Sequence, residues 1–185
     1  VARLRDQYFE TIRPQLMEKL GLDNALAAPR LQKISLSCGV GDAKDNKKVL
    51  QNAMAILERV SGQKPVATKA RKSIAQFRLR AGMTVGCRVT LRGARMYEFL
   101  DRLINVVCPR IRDFRGLKQR FDGSGNFNLG LAEQSVFPEV DGELLELPQG
   151  MNIALTIRSK SDEHSRALLE AYRFPFRPVE EATVG

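Results

Sequence analysis

Tryptophan is absent from the 185-residue chain, histidine occurs once and cysteine three times. Cys38, Cys87 and Cys108 are odd in number, far apart and without a Cys-x-x-Cys pair. That argues against both a disulfide framework and a structural zinc site, and leaves buried reduced thiols as the expectation. No apolar run approaches the roughly 18 residues that a membrane-spanning helix needs. A charged region followed by an apolar signal core is also missing from the amino terminus. The chain is therefore expected to be cytoplasmic, with no membrane among its partners.

Recognisable catalytic chemistry is lacking as well. His164 stands among Asp162, Glu163 and Arg166 at a helix start, with no Ser or Cys partner in a known motif. Gly39-Val40-Gly41 continues as Asp42-Ala43-Lys44, so the third glycine of a dinucleotide fingerprint and the Gly-Lys-Ser/Thr of a P-loop are both missing. A tight strand-to-helix turn is the better reading. Glu143 and Glu146 could share a helical turn, but their polar surroundings give no reason for a raised pKa. The expectation is a protein that is not an enzyme and needs no cofactor or metal.

What is present is charge, unevenly distributed. Thirty Lys and Arg against 21 Asp and Glu give +9 and a pI near 9.8, which favours a polyanionic partner. Ten of the basic residues lie between Arg59 and Tyr97 with no acidic residue among them, leaving the rest of the chain close to neutral. Solvated surfaces normally mix signs, so a concentrated field of this kind points to RNA. Seven of the ten are Arg, whose planar fork fits phosphate and also stacks on bases. The reverse holds from Phe121 to Ile157, where Asp122, Glu133, Glu139, Asp141, Glu143 and Glu146 have no basic neighbour in sequence. Composition leaves a basic protein partner and simple solvation equally open there.

Periodicity supplies the fold. Leu4, Tyr8, Ile12, Leu16 and Leu20 predict an opening helix, kinked or split by Pro14. Its polar side mixes Asp6, Glu10 and Glu18 with the bases, unlike a membrane-surface helix. Helices are also predicted from Ala43 to Ser61, capped by Asp42 and stopped by Gly62, from Leu100 to Val107, ended by Pro109, and from Asp162 to Tyr172. Strict alternation predicts strands with Ile34, Leu36, Cys38 and Val40 inward and Lys33, Ser35 and Ser37 outward. In a second strand Val85, Cys87, Val89 and Leu91 point inward, while Arg88, Thr90 and Arg92 point outward. Ile153, Leu155 and Ile157 repeat the pattern, as do Phe127, Leu129 and Leu131 more weakly. Strands apolar on one side only predict an α+β two-layer sandwich, a mainly antiparallel sheet with helices on one face and a polar, RNA-binding face on the other. Lys69 to Arg80 and Arg110 to Asn128 fit neither period and read as long surface loops. A single domain over residues 1–177 and a short, acidic, flexible tail over 178–185 complete the expectation.

Several segments, in order, carry a resemblance: Arg30-Leu-Gln-Lys-Ile, Ser61-Gly-Gln-Lys-Pro65, Arg88-Val-Thr-Leu-Arg92, Pro109-Arg-Ile-Arg-Asp-Phe-Arg-Gly-Leu117, Asn128-Leu-Gly, Phe137-Pro-Glu139 and Phe174-Pro-Phe176. Together, from Arg3 to Arg177, they resemble the bacterial ribosomal protein five family of the large subunit. The resemblance implies binding to 5S rRNA in the central protuberance beside large-subunit proteins eighteen and twenty-five. It also implies contacts with 23S rRNA, with the peptidyl-site tRNA, and with small-subunit ribosomal protein thirteen. Its 5S rRNA residues map onto Lys33, Gln63 and Thr90. Ser37 replaces the family's usual Asn, so an amide contact there would pass to a hydroxyl or a water. With the polar strand positions, the expected 5S rRNA site comprises Lys33, Ser35, Ser37, Gln63, Lys64, Arg88, Thr90 and Arg92. The family's tRNA contact maps onto the loop carrying Arg71, Lys72, Ser73, Gln76, Phe77, Arg78 and Arg80. Its bridge to the small subunit maps onto Glu139, Asp141, Glu143 and Glu146.

Overall fold

A computed structural model describes residues 2–41, 47–140 and 149–177. The alternating segments form strands β1 (Arg30–Gly39), β2 (Val66–Lys69), β3 (Thr84–Leu91), β4 (Phe127–Leu131) and β5 (Met151–Arg158). They make one sheet in the order β2-β3-β1-β5-β4, with every neighbouring pair antiparallel. Along the central β1, Ile34, Leu36 and Cys38 are buried while Lys33, Ser35 and Ser37 stay half-exposed. Leu31 is buried too, one residue out of phase with Ile34. A bulge resolves the conflict, because the β5 partners run Leu31 with Ile157 and then Lys33 with Thr156, leaving Gln32 as the extra residue.

Helices cover one face of the sheet. They are α1 (Arg3–Gln7) and α2 (Arg13–Leu20), joined by a π turn over Tyr8–Ile12; α3 (Lys47–Ser61); α4 (Gly93–Arg102) and α5 (Cys108–Arg110), joined by a π turn over Leu103–Val107; and α6 (Asp162–Ala171). Ile12, Leu16, Ile56, Leu57, Phe99, Leu100 and Leu168 join the inward strand residues in one apolar cluster. Each such side chain contributes roughly 1.5–3 kcal/mol on burial, so the helix layer is held by the parity of the strands. This is the expected α+β two-layer sandwich. The three cysteines are free thiols inside the core, and burial pushes Cys108 up to about 11.

The two helical prolines depart from expectation. Pro14 was expected to kink or split its helix and Pro109 to end one; the helix is not split at Pro14, and the helical run continues through Pro109 to Arg110. Both follow a five-residue π turn that closes two residues earlier, at Ile12 and at Val107. Proline lacks the N–H that would reach back four residues, and its ring presses on that carbonyl. The wider spacing of a π turn accommodates Glu10 and Asn105, the residues in question, without breaking the rod. The third helix accordingly begins at Gly93 instead of Leu100 and runs on to Arg110. Its inward stripe includes Met96 and Tyr97.

The predicted start of the second helix and its Asp42 cap lie outside the described residues, as does the tail from Pro178. Its end is as expected, with Gly62 left-handed at φ +64. The last helix starts at Asp162, where the Ser161 hydroxyl accepts the His164 N–H at 3.4 Å, and it ends at Ala171 rather than Tyr172.

The segment from Arg110 to Asn128 is more than a surface loop. Phe114, Leu117 and Phe121 pack on the core. Phe121 stands 5.5 Å from Phe127 and 6.3 Å from Phe176, ring centre to ring centre, and Phe127 is 5.4 Å from Phe174. Phe127, 1% exposed, is the hub of this cluster. Truncating it in Phe127→Ala should destabilise the protein by about 3–5 kcal/mol, measured as a lower urea midpoint with an unchanged slope.

Candidate nucleic-acid interface

Residues two apart on a strand share a face, so register alone collects the polar positions. Ser35 of β1 has Thr90 of β3 on one side and Ala154 of β5 on the other; Ser37 lies between Arg88 and Asn152. The rows continue outward: Arg88 pairs with Val66 of β2, while Ala154 and Asn152 pair with Asn128 and Gly130 of β4. Lys33 pairs with Thr156. β3 ends at Leu91 opposite Ile34, and Arg92 follows in extended conformation, next in line beside Lys33.

Gln63 and Lys64 reach the border of this surface from the end of α3. The Ser61 hydroxyl lies 2.5 Å from the Leu57 carbonyl, closing the helix, and accepts the Gln63 backbone N–H at 3.2 Å. After the turn at Gly62, the Gln63 amide Nε2 donates to the Thr90 carbonyl at 3.4 Å. The eight residues expected in the site therefore fall on one surface and its rim. Asn128, Asn152 and Thr156 were missed, although they occupy the outward positions of alternations already recognised.

The open face is also electrically distinct. The ion pairs Arg3–Asp101, Lys19–Glu170, Arg166–Glu170 and Arg102–Glu139 all involve helical cations. Among the described residues, no carboxylate pairs with Lys33, Lys64, Arg88 or Arg92. The face thus offers hydroxyls and amides that donate and accept, set on a rigid ladder, with unneutralised cations around them. Such a surface suits a folded RNA presenting 2′-hydroxyls and phosphates. No described group of His, Cys, Asp or Glu is placed to hold a metal ion.

Between β2 and β3 the chain forms an ordered arm. Its stem continues the ladder, with Ala70 N–H to the Met83 carbonyl at 2.8 Å and Gly82 N–H to the Ala70 carbonyl at 2.9 Å. Ile74 and Leu79 exchange two backbone hydrogen bonds, 2.9 and 3.1 Å, around the short 3-10 turn Ala75–Phe77. Arg78 closes the turn with φ +50. Arg71, Lys72, Ser73, Gln76, Phe77, Arg78 and Arg80 are all exposed.

The acidic candidates fare differently. Asp141, Glu143 and Glu146 lie outside the described residues. Glu139 has a basic neighbour after all: it is half-buried and accepts a hydrogen bond from Arg102 Nη1, while Arg102 Nη2 donates to the Val60 carbonyl at 3.0 Å. Asp122 is occupied in its own loop, where the Asn126 side chain and the Asn126 and Ser124 N–H groups hold its carboxyl below the usual range.

Two family patterns match the chain: one described as ribosomal protein L5 over residues 24–80, and one described as the C-terminus of that same ribosomal family over residues 84–176. The chain is 51% identical to the large ribosomal subunit protein uL5 of Nitrosomonas europaea and 53% identical to that of Methylococcus capsulatus. Each comparison spans 178 residues, 96% of this chain and 99% of the relative. The protein of that name from Xanthomonas campestris pv. campestris is 52% identical over 95% of this chain and 98% of its own.

The order of the arm rests partly on one hydroxyl, since Ser73 Oγ accepts the Ala81 N–H at 2.9 Å. Ser73→Ala should speed amide hydrogen exchange at Ala81 by about fivefold, the worth of roughly 1 kcal/mol, and leave β1 and β5 unchanged.

Proposed function

The chain belongs to the ribosomal protein L5 family and is a structural, non-catalytic constituent of the large ribosomal subunit, and from that premise we propose that its open sheet face binds 5S rRNA in the central protuberance. One observation carries the reading: Lys33, Ser35, Ser37, Arg88 and Thr90 stand in register on the face opposite the described helices, and no described carboxylate pairs with its cations. Hydroxyls of Ser35, Ser37 and Thr90 would take ribose and base edges, and Lys33, Arg88 and Arg92 would take phosphates. Ser37 is shorter than the amide usual in the family and would reach its RNA partner through water.

In this reading the arm from Arg71 to Arg80 extends to the peptidyl-site tRNA, with Phe77 to stack on a base and Arg71, Lys72, Arg78 and Arg80 to meet phosphate. Contacts to 23S rRNA and to large-subunit proteins eighteen and twenty-five complete its setting in the subunit. The bridge to small-subunit protein thirteen is assigned to Asp141, Glu143 and Glu146, with Glu139 a weaker member because Arg102 already occupies its carboxylate. Residues 1–177 are read as one domain. β1 and β2 come from one matched segment and β3, β4 and β5 from the other, and the two sets alternate within a single sheet.

The test compares the purified protein's affinity for 5S rRNA, for tRNA and for an unrelated RNA of equal length. 5S rRNA should bind most tightly; equal affinities would reduce the protein to a nonspecific polycation. If about six cations meet phosphate, log affinity should fall against log salt with a slope of roughly −4 to −5. Thr90→Ala should weaken 5S rRNA binding with little change in slope, and Arg92→Ala should lower the slope by about one.

A further inference from the structure

Two of the three cysteines meet in the fold. Cys38 of β1 and Cys87 of β3 are cross-strand partners on the inward face, 2% and 1% exposed. Two positions along the same register the Val40 N–H donates to the Val85 carbonyl at 2.9 Å, so by the alternation of an antiparallel ladder Cys38 and Cys87 also form a hydrogen-bonded rung. Cα atoms on such a rung stand roughly 5.5 Å apart, within the range that a disulfide spans most readily. The backbones approach closely here as well: at Gly86, on the next rung, a Cβ would collide with the Cys38 carbonyl oxygen.

Polar contacts converge on this pair inside an otherwise apolar core. Gln134, 1% exposed, donates its side-chain Nε2 to Cys38 Sγ at 3.3 Å. Its Oε1 is buried with no hydrogen-bond partner among the described residues, an acceptor left open beside the thiols. Cys38 in turn donates toward Cys87, and that hydrogen bond, with burial, pushes the Cys38 thiol well up while drawing the Cys87 thiol below its ordinary value. The two sulfurs are therefore unlike. Cys87 is the readier thiolate, and Cys38 keeps its proton beside it. Cys108 lacks this arrangement, and burial alone raises it.

A thiolate next to a thiol is a nucleophile with a resolving partner. Given a small hydroperoxide, the Cys87 thiolate attacks one peroxide oxygen and the O–O bond breaks, leaving a sulfenic acid on Cys87. For hydrogen peroxide the released hydroxide takes up the proton that Cys87 lost. The Cys38 sulfur then attacks the Cys87 sulfur, the S–O bond breaks, and the departing hydroxide takes the Cys38 proton. In sum two thiols are oxidised to one disulfide and one peroxide is reduced to two waters. The open Gln134 Oε1 is an acceptor for a peroxide O–H arriving at the pair.

Access controls the reaction. With both sulfurs buried, oxidant reaches them when the ladder between β1 and β3 opens locally, and a ligand that binds the closed ladder suppresses that opening. Ser37 and Arg88, both in the open face, form a rung adjacent to the thiols. We propose that Cys38 and Cys87 are a site of reversible oxidation, closing under a small hydroperoxide into a cross-strand disulfide in the free chain and shielded once RNA holds β1 and β3. The shielding rests on the reading of the open face as an RNA site; the disulfide does not.

The test treats the full-length protein with hydrogen peroxide, quenches with an alkylating agent, and reads the intact mass and the cysteine peptides. The chain should lose two hydrogens, with Cys38 joined to Cys87 and Cys108 alkylated, and a dithiol reductant should reverse the change. Cys108→Ala should leave the rate unchanged, whereas Cys38→Ala should trap a sulfenic acid on Cys87 that a cyclic diketone probe labels. No cross-link in the wild-type chain, or one made through Cys108 or between two chains, would overturn the site. Excess 5S rRNA, its binding confirmed by gel shift, should slow disulfide formation by about tenfold or more. An unchanged rate with RNA bound would overturn the shielding. Failure of the RNA to bind counts against the open face alone, because the free chain still decides the disulfide.

Discussion

The phase of β1 is the constraint on which the rest of the molecule depends. As the central strand it pairs with β3 on one side and β5 on the other, so its choice of face fixes theirs through register. Ile34, Leu36 and Cys38 turn to the helices, and everything directly opposite follows: Val89 and Cys87 on β3, Leu155 and Ile153 on β5. A slip of one residue would exchange the core for Lys33, Ser35 and Ser37, which no helix layer could cover. The bulge at Gln32 lets Leu31 join the same core without that exchange, while Lys33 remains on the open side. A rigid polar face is therefore the necessary counterpart of the packed one.

Charge is sorted along the same division. The described ion pairs link cations on helices to nearby carboxylates, and surface pairs of this kind, screened by solvent, add little to stability. Among the described residues, no carboxylate pairs with the cations of the open face or of the arm. This costs the isolated protein little, because a solvated guanidinium is well hydrated, and it reserves those charges for phosphate. Stability and ligand binding thus draw on different residues, the core and aromatic cluster for one and the outward strand positions for the other. Arg102 with Glu139 is an exception, an acidic residue of the expected bridge partly committed to holding the fold.

Where a physical signal is local, the sequence was legible. Period-two alternation identified the inward residues of β1, β3, β5 and, more faintly, β4, and with them the outward candidates Lys33, Ser35, Ser37, Arg88 and Thr90. Gly62 marked the end of α3 correctly because a helix stop needs only neighbouring residues. What escaped depends on contacts between distant segments or on rarer backbone geometry. The passage of helix through Pro14 and Pro109 is not legible, because the π turns that accommodate them leave no mark in composition. The segment from Arg110 to Asn128 looked like a free loop because its partners, Phe174 and Phe176, are some 50 to 60 residues further on. Gln63 needed the family resemblance; its hydrogen bond to the Thr90 carbonyl is visible only in the fold.

RNA should meet the sheet on the face opposite the described helices. Amide chemical-shift mapping during titration with 5S rRNA tests it most directly, because both layers report in one spectrum. The largest perturbations should fall at Lys33, Ser35, Ser37, Arg88, Thr90 and Gln63, with small changes along α2 and α6. Perturbations concentrated on those helices, with the amides of β1 and β3 unmoved, would contradict it.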